Sequence, residues 1–361
     1  MRSVYIHIPF CRSICSYCDF CKMIYNDLWA NDYLDALLKE IEKYYEGDLI
    51  KTIYIGGGTP SSLSLPLLNK LFEIIKIFKL SPLNEITFEL NVDDINEDIL
   101  KILKENNVNR ISVGIQSFNN KKLKFLNRKH NSKDIFKKIK LLKSYGFDNI
   151  NVDFMYALPV EDMYIFKKDL KKFIKLGVEH ISTYSLIIED NTALKINNVK
   201  PIDETLDYLM YKYITKKLRK KGYNHYEVSN FAKVGHQSSH NLVYWNNEEY
   251  YGFGLGSHGY INDVRYENVK NLVKYLDGEY RKEEYIVSLK EDMENEVIFG
   301  LRKLEGINIR KFFEKYDKNI QDVFNIEKAL KNKYLILENE YLKIPEGKIY
   351  VMNEILNMII K

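Results

Sequence analysis

The sequence predicts an α/β chain: an open, partial (β/α)6 barrel followed by a small C-terminal α+β module. Three observations predict it. Six short β-rich runs are each followed by a helical run of roughly 10–20 residues, and that alternation builds parallel βαβ units. Runs such as IYIGG and ISVGI carry apolar residues at nearly every position, as strands covered on both faces do. Six units are too few to close an eight-stranded barrel of the usual kind, so the sheet stays open, with ligand sites at the C-terminal ends of its strands.

In chain order, strands are expected at 3–8, 51–56, 85–91, 110–115, 149–154 and 180–186. Amphipathic helices are expected near 31–46, 64–79, 96–106, 132–145, 163–176 and 203–221. Residues 1–225 form the barrel on this reading, and 226–289 hold a glycine-rich segment and a polar, tyrosine-rich connector. Residues 290–361 are the C-terminal module. There, LKEDMENEVIFGLRKLEGI reads as a helix, 308–316 and 322–332 as two shorter ones, and 334–337 with 341–344 as a hairpin around Asn339 and Glu340. Helices plus a hairpin make a winged-helix-like unit. It lacks the dense basic face of a phosphate binder, so partner docking or a lid is expected and nucleic acid is not.

Composition excludes several classes. Hydrophobic residues at 45% supply a core, and a net charge of +4 is too small and too interspersed for nucleic-acid binding. Neither a secretory leader nor a run of about 20 apolar residues is visible, so a cytoplasmic protein is expected.

All four cysteines fall within residues 11–21, CRSICSYCDFC. Scattered packing thiols do not converge in this way. A disulfide pair needs an oxidising compartment. Zinc prefers two C-x2-C knuckles separated by a longer loop. A compact run fits an iron–sulfur cluster better, because neighbouring cysteines can reach separate irons on one side of it. Cys11, Cys15 and Cys18 have gaps of three and two, while Cys15, Cys18 and Cys21 also read as C-x2-C-x2-C, a ferredoxin-like register.

Ligand-type residues recur where successive strands end. Gly56, Gly57, Gly58, Thr59 and Pro60 follow the second strand, where glycine permits close backbone approach or simply a tight turn. Glu89 ends the third, Gln116 follows the fourth with Arg128 soon after, and Asp153 interrupts the apolar fifth. A carboxylate in such a strand is costly unless satisfied. Each residue alone also has a structural explanation; their shared position favours a ligand site.

The spacing Cys11-x3-Cys15-x2-Cys18, with YIHIPFC leading into it and Tyr17 before the third cysteine, resembles the radical SAM signature. GGGTP resembles the motif of that superfamily that holds the methionyl amino group. YIHIPFC, GGGTPS, VGIQSFN, LNRKH, NVDFMYALP and HISTYSLIIEDNT together resemble the oxygen-independent coproporphyrinogen III oxidase family, with its heme-chaperone branch of the HemW type. The resemblance covers essentially the whole chain. It implies a radical SAM partial barrel with a [4Fe–4S] cluster on Cys11, Cys15 and Cys18, and an open iron chelated by S-adenosylmethionine. It also implies that Tyr5, Gly57, Gly58, Thr59, Glu89, Gln116, Arg128 and Asp153 contact that cofactor, with Tyr17 near the adenine. Asp153 suits the ribose diol.

Two departures favour the chaperone branch: the first strand starts near residue 3, and Phe20 stands where the oxidases keep a fourth cysteine. The run His240-Asn241-Leu242-Val243-Tyr244-Trp245 resembles the HNxxYW motif of that branch. The resemblance implies heme as cargo, held over the barrel mouth by His240, Tyr244 and Trp245. His236, and His258 in GLGSHG, are rival ligands, and a packed loop is the alternative reading of the motif. Gly252–Gly259 is expected to be a loop near the same mouth and not a dinucleotide site. The implied partners are apo-hemoproteins as heme acceptors and a low-potential electron donor. A homodimer is compatible with this reading, as is membrane contact made only through the acceptor. The expected function is heme delivery, with no residue assigned a catalytic role. Oxidative decarboxylation of coproporphyrinogen and radical-driven heme breakdown are the alternatives.

Overall fold

The expected strands are the middle of a larger sheet. In the computed structural model, which describes residues 1–360, they are β1 (Arg2–Ile8), β2 (Leu49–Gly57), β3 (Lys79–Asn91), β4 (Arg110–Gln116), β5 (Ile150–Tyr156) and β6 (His180–Ser185). All five neighbouring pairs are parallel. The helices that follow them are α1 (Asp27–Tyr44), α2 (Leu65–Ile75), α3 (Glu97–Glu105), α4 (Ile135–Ser144), α5 (Met163–Lys175) and α6 (Glu204–Arg219). Caps set their starts: the side chains of Asn26, Asn96, Asp162 and Asp203 accept backbone N–H groups in the first turns of α1, α3, α5 and α6.

Strand alternation divides the sheet chemically. Val4, Ile6, Ile8, Ile53, Ile55, Phe88, Val113 and Val152 belong to one large apolar core, and each such side chain contributes about 1.5–3 kcal/mol. The intervening positions, Ser3, Tyr5, His7, Thr52, Tyr54, Glu89, Ser112 and Asp153, share the opposite, inner face. The strands are therefore not apolar throughout: their inner face is polar and lines the barrel lumen.

The sheet grows beyond the six units on both sides. A hairpin, β7 (Asn224–Glu227) and β8 (Asn230–Ala232), pairs antiparallel with β6. On the other side β9 (Tyr250–Phe253) lies parallel to β1, with Ser3 opposite Tyr250 and Ile6 opposite Phe253. Then β10 (His258–Ile261), β11 (Val264–Asn268) and β12 (Arg281–Ile286) complete an antiparallel meander. The order is β12-β11-β10-β9-β1-β2-β3-β4-β5-β6-β8-β7, so the sheet stays open between β12 and β7. Within the connector expected over 262–289, therefore, residues 264–268 and 281–286 are strands of the main sheet. The order also means that residue 225 is not an edge of the barrel layer.

Between β8 and β9, Ser239–Trp245 forms a short helix, α7. The C-terminal module begins with α8 (Leu289–Gly300) and carries a three-stranded sheet of 307–308, 336–338 and 341–343, matching the winged-helix-like expectation in kind. No helix among the described residues is long and apolar enough to cross a membrane.

Candidate functional site

The segment after β1 is built onto the strand ends. Phe10–Cys11 pairs in parallel with Met23–Ile24, closing the cysteine loop into a lariat. Gly58 N donates to Ile8 O and Thr59 N to Phe10 O, both at 2.8 Å. A Cβ on Gly58 would meet the Pro9 and Ile8 backbones at under 3.0 Å, so glycine is required for this approach. Gly57, at φ 110°, lies against the His7 ring, where a Cβ would stand 2.5 Å from ring atoms. The far side of the loop is tied to the segment before Arg128: Ser16 N donates to Leu126 O, and Asn127 Nδ2 to Ile14 O.

Cys11, Cys15 and Cys18 line one cavity of about 380 Å³ at the C-terminal strand ends. Thr59 Oγ1 donates to Cys11 Sγ at 3.6 Å, and Arg128 Nη1 donates to Cys15 Sγ at 3.5 Å. Donors aimed at sulfur stabilise thiolates. Among the described residues no three His, Cys, Asp or Glu side chains are close enough to hold a single metal ion. Three thiols lining one cavity are the donor type that an iron–sulfur cluster takes. Cys21 is not among the lining residues. Its carbonyl accepts from His7 Nε2 at 2.7 Å, and its side chain abuts Gly256.

The strand-end residues meet at the same cavity, which Tyr17, Gly57, Gly58, Thr59 and Glu89 line, together with Gln116, Arg128 and Asp153. Glu89 accepts from Tyr54 Oη at 2.7 Å and from Gly57 N at 3.2 Å; burial pushes its carboxyl up to about 7, with Asp153 adding to the rise. Asp153 accepts from Asn151 Nδ2 at 2.9 Å, and burial pushes it up to about 6 against the pull of Arg110 and Arg128. Arg128 reaches past Cys15 to Asn91 Oδ1 at 2.6 Å, and also donates to Gly114 O. Tyr5 is one residue-pair further down: its hydroxyl donates to His7 Nδ1 at 3.0 Å, since Nε2 donates to Cys21.

The HNxxYW run lies elsewhere. α7 packs on the inner face at the N-terminal half of the barrel, where Glu85 accepts from the backbone N–H groups of Ser239 and His240, each at 3.0 Å. His240 is 1% exposed. The His240 ring is hydrogen-bonded at both nitrogens, Nδ1 with Thr52 Oγ1 and Nε2 with Tyr244 Oη, each at 2.8 Å. Trp245 lies under the Arg302 guanidinium, 5.0 Å from its ring centroid. α7 lies inside the lumen beneath the cysteine cavity: the His240 ring centroid is 5.2 Å from that of Tyr54, whose hydroxyl donates to the cavity-lining Glu89 at 2.7 Å. This corrects the expectation that the motif sits over the mouth. Gly252–Gly259 is β9, a tight turn and β10 rather than one loop, and its turn abuts Cys21. His258 projects exposed from β10, and His236 is half-buried before α7.

Asn91, His7 and Asn151 also belong to the site, and motif reading passed over them. Asn91 bridges Arg128 and Thr59, donating to Thr59 Oγ1 at 3.0 Å. The available signal was periodicity, since Asn91 follows Glu89 by two on the same strand face.

Comparison with known proteins agrees with this geometry. The Radical SAM superfamily matches residues 5–176, and the HemN C-terminal domain matches 287–346. The heme chaperone HemW of Bacillus subtilis is 40% identical, covering 94% of each chain. That of Lactococcus lactis is 40% identical over 90% of this chain and 87% of its own, and that of Escherichia coli 33% identical over 99% and 97%. Among solved structures, the radical SAM enzyme coproporphyrinogen III oxidase (HemN) of Escherichia coli superposes with a TM-score of 0.86, covering 97% of this chain and 88% of that one. Its 21% identity makes this a likeness of fold. With 40% identity held across nine-tenths of its length, this chain belongs to the HemW family of heme chaperones within the radical SAM superfamily.

Proposed function

We propose that this chain carries a [4Fe–4S] cluster on Cys11, Cys15 and Cys18, binds S-adenosylmethionine in the adjoining cavity, and holds heme on His240 for delivery to apo-hemoproteins. The supporting observation for the first two is the convergence of three cysteines, Glu89, Arg128 and Asp153 on one cavity. A cluster with S-adenosylmethionine supplies one-electron radical chemistry when bound. The chain's residues do the rest. Glu89 accepts from the methionyl ammonium, Asp153 accepts from the ribose hydroxyls, and Arg128 steadies the cysteine loop against Asn91 and Gly114. The reading includes a low-potential electron donor and a cytoplasmic setting.

For heme, the supporting observation is that the buried His240 ring is held by hydrogen bonds at both nitrogens, Nδ1 with Thr52 and Nε2 with Tyr244. Metal-ligating histidines donate their other ring N–H to an oxygen, which fixes the ring and raises its basicity. With its Nδ1–H on Thr52, His240 would offer Nε2, beside the Tyr244 hydroxyl, as the ligating nitrogen. Tyr54 stands between the two sites, its ring beside His240 and its hydroxyl on Glu89.

Anaerobic reconstitution with iron and sulfide, followed by heme titration and an assay of coproporphyrinogen decarboxylation, tests the whole reading. A shifted Soret band lost in His240→Ala, with no decarboxylation, is the expected result. Decarboxylation without heme binding replaces it by the oxidase reading; conversion of heme to a ring-opened product replaces it by heme breakdown.

A further inference from the structure

Behind the cavity, and outside its lining, lies a buried charge cluster. Lys122, in the short helix Asn120–Phe125, is 0% exposed, and so is the Glu161 side chain beside it. Lys122 Nζ donates to Glu161 Oε1 at 2.5 Å, to Asp169 Oδ2 at 3.0 Å and to Met155 O at 3.1 Å. Asp169, from α5, accepts in turn from Phe118 N at 2.6 Å and Ser117 Oγ at 2.5 Å. Replacing such a cluster by packed apolar groups is often neutral or stabilising, so stability alone is a weak reason for it.

What the cluster grips is the residue after β4. Ser117 N donates to Ile115 O at 2.8 Å around Gln116, whose φ is 64°: a classic γ-turn, rare and strained. Strain of this kind persists where surrounding structure over-determines it. Here Asp169 holds both the Ser117 side chain and the next amide, while Lys122 also ties the end of β5 two residues beyond Asp153. The turn aims Gln116 into the cavity that Asp153 also lines.

We propose that Lys122, Asp169 and Ser117 are positioning residues that hold Gln116 in register for S-adenosylmethionine. The inference rests on the reading that Gln116 contacts the cofactor. Equilibrium dialysis of S-adenosylmethionine against the full-length, cluster-loaded protein tests it, with iron content measured alongside. Gln116→Ala is expected to weaken binding about tenfold, the worth of one good hydrogen bond. Ser117→Ala and Asp169→Asn are each expected to weaken it roughly 3–10-fold with iron unchanged, and by less than about twofold when Gln116 is already alanine. Full additivity with Gln116→Ala, or wild-type affinity in both single variants, overturns the proposal while leaving the cofactor contact standing. Wild-type affinity in Gln116→Ala removes the contact and the proposal with it. Should Asp169→Asn fail to fold, Ser117→Ala decides alone, since it removes one oxygen and leaves the charge triad whole.

Discussion

At Cys21 the carbonyl serves His7 while the side chain packs beside Gly256, and the residue stays outside the lining of the cavity that Cys11, Cys15 and Cys18 share. Cys21→Ala is therefore expected to keep full iron after anaerobic reconstitution, and alanine at Cys11, Cys15 or Cys18 to lose it. The reverse pattern at Cys21 and Cys11 establishes the ferredoxin-like register. Glu89 yields a pH prediction. Its carboxyl is pushed up to about 7, so it is ionised above that pH and protonated below it. A bound ammonium favours the ionised form, so affinity for S-adenosylmethionine falls as pH drops from 8 to 6, by at most about tenfold per unit. Glu89→Gln, which cannot ionise, is expected to bind more weakly at pH 8 and to flatten that profile. A profile unchanged by the substitution assigns the titration elsewhere. Asp153→Ala should weaken binding on the order of 10–100-fold, because it removes a buried charge-assisted acceptor.

The short helix α7 joins a polar lumen to a C-terminal module, and its contacts set two expectations. Thr52→Val leaves His240 Nδ1 without its hydrogen-bond partner, so unfolding in urea should show a loss of about 1–3 kcal/mol. Tyr244→Phe uncaps Nε2 and should tighten heme binding without changing the ligated spectrum; weaker binding shows that the hydroxyl helps to hold heme. The strands of the barrel were legible because their outer positions are fully apolar, and their ends because Gly57, Glu89, Gln116 and Asp153 break that pattern. The polar inner face was equally visible, as Tyr54 in IYIGG and Ser112 in ISVGI, but continuous hydrophobicity is the stronger local signal and hid the alternation. The place of α7 was not legible. Following the sixth unit in sequence says nothing about which end of the lumen a segment enters, and Glu85, whose carboxylate holds its first turn, is over 150 residues away. β9 escaped for the same reason: its partner is β1, and parallel pairing carries no hairpin signature.

Across the whole molecule the chain closes on its own beginning, since the segment 250–253 covers the edge that β1 would otherwise expose. A fragment of residues 1–225 leaves that edge bare and the lumen unfilled by α7, so it is expected to lack a cooperative thermal transition, whereas the full chain has one. Cooperative melting of the fragment shows that the six units suffice. The ties between GGGTP and the residues flanking Cys11 have a consequence for biogenesis. Gly58 and Thr59 fasten the start of the lariat by main-chain bonds, and Ser16 and Asn127 fasten its far side; none of these bonds uses a cysteine thiol. In a zinc finger, metal affinity and folding free energy are one quantity. Here the ties that shape the loop leave its thiols free, so folding is expected to precede metal loading, and an iron-starved cell to hold an intact, dormant stock that a later supply activates without new synthesis.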